Sequence, residues 1–122
     1  MQVTEQTPPE SRLNSDRERA LGQIAELERE FTAIAASAAD GSAGGDDEHD
    51  PEGATVAFER QHVAALLVQA RAHLEAIDAA LRKVGAGVYE ICDLCGGPIG
   101  AERLVARPAA LTCVRCAAKR RA

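Results

Sequence analysis

The sequence predicts a mainly α-helical protein, in which a long antiparallel coiled-coil hairpin precedes a small four-cysteine finger and a short C-terminal helix. Three observations lead to this prediction. Two segments place apolar residues at alternating steps of four and three, as the heptads of a coiled coil do. The two segments share one register when they are paired antiparallel. Four cysteines follow in two close pairs near the end of the 122-residue chain.

The first helix is predicted from a heptad seam in which Arg17 is the one polar member. The seam consists of Leu13, Arg17, Ala20, Ile24, Leu27, Phe31, Ile34 and Ala38. The start signal is Thr7-Pro8-Pro9-Glu10, which has the pattern of a capping box with proline at the first helical position. Ser15 offers an alternative start. Asp40-Gly41 is expected to end the helix, because glycine commonly follows a helical C-terminus.

The second helix is predicted from a seam that consists of Val63, Leu67, Ala70, Leu74, Ile77, Leu81 and Val84. Asp50 and Pro51 form a start signal, an N-cap aspartate followed by proline, and Gly85 and Gly87 are expected to end the helix. A bundle of ordinary helices is the alternative to a hairpin, but the chain has no third long periodic segment. The facing pairs of the hairpin would be Leu13 with Val84, Ala20 with Ile77, Leu27 with Ala70, and Ile34 with Val63.

The tip of the hairpin is expected to be an acidic loop over residues 40–55, because glycine and aspartate are too frequent there for regular structure. Arms of about 26 residues would place this tip roughly 40 Å from the base. Asp50 has an alternative role as a helix cap alone, and the cluster has one as a solvated loop. The acidic residues predicted to contact a partner are Asp46, Asp47, Glu48 and Asp50.

The four cysteines have the spacing C-x2-C-x17-C-x2-C, which is typical of a tetrahedral zinc site. Cysteine fills every ligand position, so no position stays open for water, and we expect one structural zinc ion rather than a catalytic one. Two disulfides or a redox thiol pair are the alternatives. The predicted ligands are Cys92, Cys95, Cys113 and Cys116, and the predicted thin core around them is Val88, Tyr89, Ile91, Ile99, Leu104 and Leu111.

The charges divide the chain into two parts. Residues 1–84 carry 8 basic and 16 acidic side chains, whereas residues 85–122 carry 6 basic and 3 acidic ones. The predicted domains are a disordered segment at 1–6, the hairpin at 7–84, and the finger with its C-terminal helix at 85–122. No signal-peptide pattern and no apolar run long enough for a bilayer is found, so we expect a cytoplasmic protein that contacts no membrane.

The finger resembles the DksA/TraR C4-type zinc finger family. The resemblance rests on the opening Gly-x-Tyr-x-x-Cys-x-x-Cys-Gly-x-Pro-Ile from Gly87 and on Arg-Leu-x-Ala-x-Pro from Arg103. It implies a transcription regulator that binds bacterial RNA polymerase, inserts its acidic tip in the secondary channel, and often acts together with the nucleotide ppGpp. The best-known family tip is Asp-Pro-x-Asp-x-Ala. In this chain, Gly53 and Thr55 replace the second aspartate and the alanine.

Two other functions compete with this hypothesis. A zinc-finger DNA-binding protein of the GATA type shares the cysteine spacing but has a tryptophan and a long basic tail, which this chain lacks. We therefore expect no sequence-specific DNA binding. A structural protein-interaction module would use the hairpin seam for dimerisation. No enzyme is expected, because no activated nucleophile and no phosphate-binding glycine loop is found.

Overall fold

The computed structural model describes residues 8–41 and 51–121. Four helices account for most of them: α1 at Pro9–Gly41, α2 at Pro51–Ala86, α3 at Ala101–Ala106 and α4 at Val114–Arg121. The described residues form no β-strand and contain one isolated antiparallel bridge, between Ile91 and Pro98. The prediction of a mainly α-helical protein with two long helices and a short C-terminal helix is confirmed.

The two long helices begin at the prolines that predicted their starts. Pro9 and Pro51 are the first residues of their helices, and the alternative start at Ser15 is wrong. α1 continues to Gly41 and α2 begins at Pro51, so both ends of the predicted loop over 40–55 are helical. Residues 42–50 separate the two helices along the chain and lie outside the described residues.

The C-terminus of α2 is closed by a glycine in the left-handed conformation. Gly87 has a φ of 78°, which an L side chain would adopt only with strain. Its N–H donates to the carbonyl of Val84 at 3.1 Å, and the N–H of Val88 donates to that of Lys83 at 2.9 Å. These two bonds form a Schellman motif, which satisfies carbonyls that the end of a helix leaves free.

Packing groups the described residues into two units. One contains the chain up to Arg19 together with everything from His73 onward, and the other contains residues 20–72. Both long helices contribute to both units. The predicted domains at 1–6, 7–84 and 85–122 remain a prediction, and segment 1–6 lies outside the described residues.

In the unit of residues 20–72, α1 and α2 pack antiparallel. Glu28 Oε2 lies 2.7 Å from Arg71 Nη2. Phe31, one turn later on α1, lines the same groove as Ala64, which comes two turns earlier on α2. Among the residues of this unit whose burial the structure describes, the buried side chains are all members of the predicted seams: Ala20, Ile24, Leu27, Val63, Leu67 and Ala70.

In the other unit, Leu13, Ile77 and Ala80 are completely buried. In the same unit, Arg17 Nε donates to Asp78 Oδ1 at 2.6 Å. This ion pair gives Arg17, the polar member of the first seam, a partner on α2. No helix within the described ranges is long and apolar enough to span a bilayer.

Candidate metal centre

The first cysteine pair lies on a tight turn between two residues that form a bridge. Ile91 and Pro98 form the antiparallel bridge, and Cys92 N–H donates to the Gly97 carbonyl at 2.7 Å. The turn closes through Gly96, whose φ is 75° and whose N–H donates to the Cys92 carbonyl at 3.0 Å. A glycine is therefore required at this position, because an L side chain would adopt this φ only with strain.

The second pair lies at the N-terminus of α4. Cys113 precedes the first helical residue, Val114, and Cys116 is in the first turn. The Cys116 N–H donates to the Cys113 sulfur, which lowers the pKa of the Cys113 thiol. Cys113 therefore caps the helix with its sulfur, as serine or aspartate caps others with oxygen.

The four sulfur atoms lie close enough to bind one ion. All of them are within 4.8 Å of one another, and Cys95 Sγ is 3.9 Å from Cys113 Sγ. Zinc–sulfur bonds of about 2.3 Å in a tetrahedron require sulfur atoms about 3.8 Å apart. A disulfide requires about 2.05 Å, so the disulfide alternative is wrong, and all four cysteines are free.

Backbone amides surround the sulfur atoms. Leu94 N–H and Cys113 N–H donate to Cys92 Sγ at 3.4 and 3.3 Å, and Gly97 N–H donates to Cys95 Sγ at 3.4 Å. Such donors stabilise thiolate over thiol. Burial raises the pKa of Cys92, but the amides of Cys95, Cys113 and Leu94 outweigh it and lower that pKa to about 6.

The pKa of Cys116 is shifted in the opposite direction to that of Cys92. Its hydrogen bond with Cys113, followed by its burial, raises the pKa of the Cys116 thiol to about 12. The hydrogen bond with Cys113 therefore favours the protonated form of Cys116 when no metal ion is bound. The charge of a bound metal ion releases such a proton, because a coordinating thiol is deprotonated. The donor set and its spacing fit one zinc ion, with no ligand position left for a substrate.

The core of the finger is small. Cys92, Ile99 and Leu104 are buried, and Tyr89, Ala110, Cys113 and Cys116 pack against them. The prediction is confirmed for Ile99 and Leu104. It is wrong for Val88 and Ile91, which are 42% and 41% exposed. Val88 lies where the end of α2 is closed by its bond to the Lys83 carbonyl, and Ile91 lies in the isolated bridge with Pro98.

Several contacts that hold the finger were not predicted from the sequence. Arg12 of α1 donates to the carbonyl of Val105 at 2.8 Å, and Lys83 Nζ lies 2.9 Å from Asp93 Oδ1. Within the finger, Arg103 Nε donates to the Thr112 carbonyl at 2.8 Å. The matched motif Arg-Leu-x-Ala-x-Pro marked Arg103, but nothing in the sequence identified its acceptor.

The predicted site residues fall into two groups. The four cysteines are brought together as predicted. The predicted tip residues Asp46, Asp47, Glu48 and Asp50 lie outside the described residues, so their role remains a prediction.

Tyr89 should titrate above its ordinary pKa of 10.0. Burial raises the pKa of the phenol, and Arg12 nearby partly opposes the shift. The neutral hydroxyl also donates to the Pro108 carbonyl at 2.7 Å. Because the folded-state pKa is raised, this contribution to stability is complete below about pH 10 and is lost as pH rises through the raised value. Tyr89 is the only tyrosine and the chain has no tryptophan, so phenolate absorbance reports it alone.

A spectrophotometric titration of the zinc-loaded protein should therefore show a midpoint above 10.0, whereas the same titration in denaturant should return to about 10. Identical midpoints in the folded and denatured protein would contradict the assigned environment of Tyr89.

Comparisons with known proteins agree with this geometry. Residues 87–122 match the family described as the prokaryotic dksA/traR C4-type zinc finger. The chain is 39% identical over 66 residues to the uncharacterized protein YteA from Bacillus subtilis, a match that covers 54% of this chain and 28% of YteA. The chain thus spans less than a third of that relative's length.

A solved structure resembles the chain over a longer stretch. The transcription factor DksA2 from Pseudomonas aeruginosa superposes with a TM-score of 0.51 and 29% identity, covering 91% of this chain and 84% of that one. Residues 87–122 thus match the DksA/TraR C4-type zinc finger family, and the matched segment contains the four-sulfur site.

Proposed function

We propose that this protein is a transcription regulator that binds bacterial RNA polymerase and inserts its acidic hairpin tip in the secondary channel, while its zinc ion is structural. One observation carries the proposal: a DksA/TraR finger follows two long helices in a chain of which 91% superposes on a solved transcription factor. A closed four-thiol site also fits a role in holding structure.

The charge distribution supports action through the tip. The segment between α1 and α2 contains Asp46, Asp47, Glu48 and Asp50, and the finger has a net positive charge. Carboxylates can act on a partner's metal-containing active site, since Mg²⁺ is bound through a few carboxylates and keeps several exchangeable waters. Gly53 and Thr55, which depart from the best-known family tip, belong to the first turns of α2.

Co-elution with bacterial RNA polymerase tests the proposed partner. At low ionic strength, the zinc-loaded protein should elute with the polymerase in size-exclusion chromatography, and added salt should weaken the complex if charge contributes. Failure to co-elute at low salt would remove the proposal. A salt-resistant complex in a DNA gel-shift assay would then favour the DNA-binding alternative.

The nucleotide ppGpp, which the family resemblance implies, has a candidate binding site at the finger. A cavity of about 400 Å³ is lined by His73, Arg103, Arg107 and Arg120, with Asp16 as the acidic lining residue. Asp16 is engaged by Arg19, and guanidinium groups recognise phosphate bidentately. We expect ppGpp to change transcription in the presence of the wild-type chain but not with Arg107→Ala/Arg120→Ala. An equal ppGpp response with both proteins would contradict this location.

A further inference from the structure

One peptide group contacts both the metal site and the side chain of Arg103. The carbonyl of Thr112 accepts from Arg103 Nε at 2.8 Å, and the N–H of Cys113 donates to Cys92 Sγ at 3.3 Å. These two atoms are the opposite ends of the peptide group between Thr112 and Cys113. Because a peptide group is planar, fixing its carbonyl also fixes the direction of its N–H.

Arg103 is itself held in place by the helix that carries it. α3 has only six residues, too few to be stable alone. Leu104, the next residue, is 5% exposed and belongs to the finger core. At the C-terminal end, where the carbonyls of a helix lack partners, Arg12 of α1 donates to Val105 O at 2.8 Å and to Leu104 O at 3.5 Å. A cation at this end also interacts favourably with the helix dipole.

We propose that Arg103 is a positioning residue for the metal site, which orients the peptide group between Thr112 and Cys113 toward the Cys92 sulfur, and that Arg12 acts on the metal through Arg103. The N–H···S bond disperses charge from the thiolate that zinc binds. The charged guanidinium on the carbonyl polarises the same peptide group and strengthens its N–H as a donor. Zinc binding is thereby coupled to the first turns of α1, whose sequence lies far from the cysteines.

Substitution of Arg103 should lower the affinity for zinc although all four cysteine ligands remain. Mutation of a residue that contacts the ligands of a metal ion, rather than the ion itself, typically lowers metal affinity by about 10- to 100-fold. Since the Arg103 contact lies one peptide group away from the sulfur, we expect Arg103→Ala to weaken zinc binding by roughly tenfold. Arg103→Lys keeps the charge but loses the planar fork and should fall between wild type and Arg103→Ala.

Competition with a metal chelator measures this effect, with Arg115→Ala as the matched control. Arg115 is exposed, lies on α4 next to Cys116, and carries the same charge. If Arg103 acts by orienting the peptide group, Arg115→Ala should change zinc affinity by less than about twofold. Equal weakening by Arg115→Ala and Arg103→Ala would show a general charge effect and would overturn the proposal.

A double-mutant cycle distinguishes an effect of Arg12 through Arg103 from two independent effects on zinc affinity. Arg12→Ala should weaken zinc binding less than Arg103→Ala, and adding Arg12→Ala to Arg103→Ala should produce little further weakening. Arg19→Ala, on the same helix as Arg12, should have no effect on zinc affinity because Arg19 pairs with Asp16 of its own helix. Additive effects of Arg12→Ala and Arg103→Ala would contradict action through Arg103.

Cadmium substitution provides a signature that a merely destabilised finger would not give. In the wild type, NMR scalar coupling should appear between cadmium and the Cys113 amide proton across the bond to Cys92 Sγ. This coupling should weaken in Arg103→Ala while the coupling through the Leu94 amide persists. If Arg103→Ala fails to bind metal, Arg103→Lys replaces it in this experiment, and unchanged coupling to the Cys113 amide in the variant used would overturn the proposal.

Discussion

Removal of the zinc ion should unfold the finger while α1 and α2 retain most of their helical structure. Among the described residues of the finger, the buried core is limited to Cys92, Ile99 and Leu104, which is too little for a segment of this size to fold alone. Structural zinc contributes an apparent 10–16 kcal/mol in comparable fingers at about neutral pH. The buried seam of residues 20–72 does not include any residue of the finger, so it should survive.

Circular dichroism and amide hydrogen exchange after chelation test this prediction. The helical signal should fall by a small fraction, corresponding to α3 and α4, while protection is lost throughout residues 87–121. Cys92→Ser should reproduce the effect in the presence of zinc. Val114→Ser, at a position that is 61% exposed beside Cys113, should not. A finger that stays protected after chelation would contradict the structural role of the metal.

Truncation of Ile77 should produce the largest loss of stability among substitutions in the long helices. Its side chain is completely buried. Ile77→Ala leaves a cavity, and such changes cost about 2–5 kcal/mol. The milder Ile77→Val should cost about 0.5–1.5 kcal/mol.

Val68→Ala is the matched control on the same helix, because Val68 is 67% exposed and its truncation should change the free energy of unfolding by no more than about 0.5 kcal/mol. Urea unfolding of the zinc-loaded proteins measures the difference, as a lower midpoint at an unchanged slope. Similar losses for Ile77→Ala and Val68→Ala would mean that the predicted seam is not the buried face.

Most of the helical architecture could be predicted from the sequence because its signals are local and periodic. The four-three steps identified Ile24, Leu27 and Ile77 as buried positions, and they are buried. Pro9 and Pro51 predicted the helix starts because proline at the first helical position loses no hydrogen bond. The four cysteines were equally predictable, since a tetrahedral thiolate site requires two close pairs.

The contacts that connect the finger to the helices could not be predicted in this way. Arg12 and Val105 are 93 positions apart, and the acceptor is a backbone carbonyl, which has no sequence signature. Arg17 appeared only as a polar interruption of its seam until the structure placed Asp78 beside it. Val88 and Ile91 were assigned to the core from their apolar character, but the turn around the metal site determines which neighbours of the cysteines are buried.

The tip is where the proposed activity resides, so its charge provides the sharpest functional comparison. One variant carries Asp46→Asn, Asp47→Asn, Glu48→Gln and Asp50→Asn. A matched control changes the net charge equally at four exposed glutamates of the two long helices: Glu18, Glu26, Glu30 and Glu59, each replaced by glutamine.

In vitro transcription by bacterial RNA polymerase with the wild type and these two variants tests the account most directly. The wild type and the helix control should change transcript yield to the same extent, and the tip variant should lose the effect while still co-eluting with the polymerase. Identical transcription with the tip variant and the wild type would contradict the claim that this protein acts through its acidic tip.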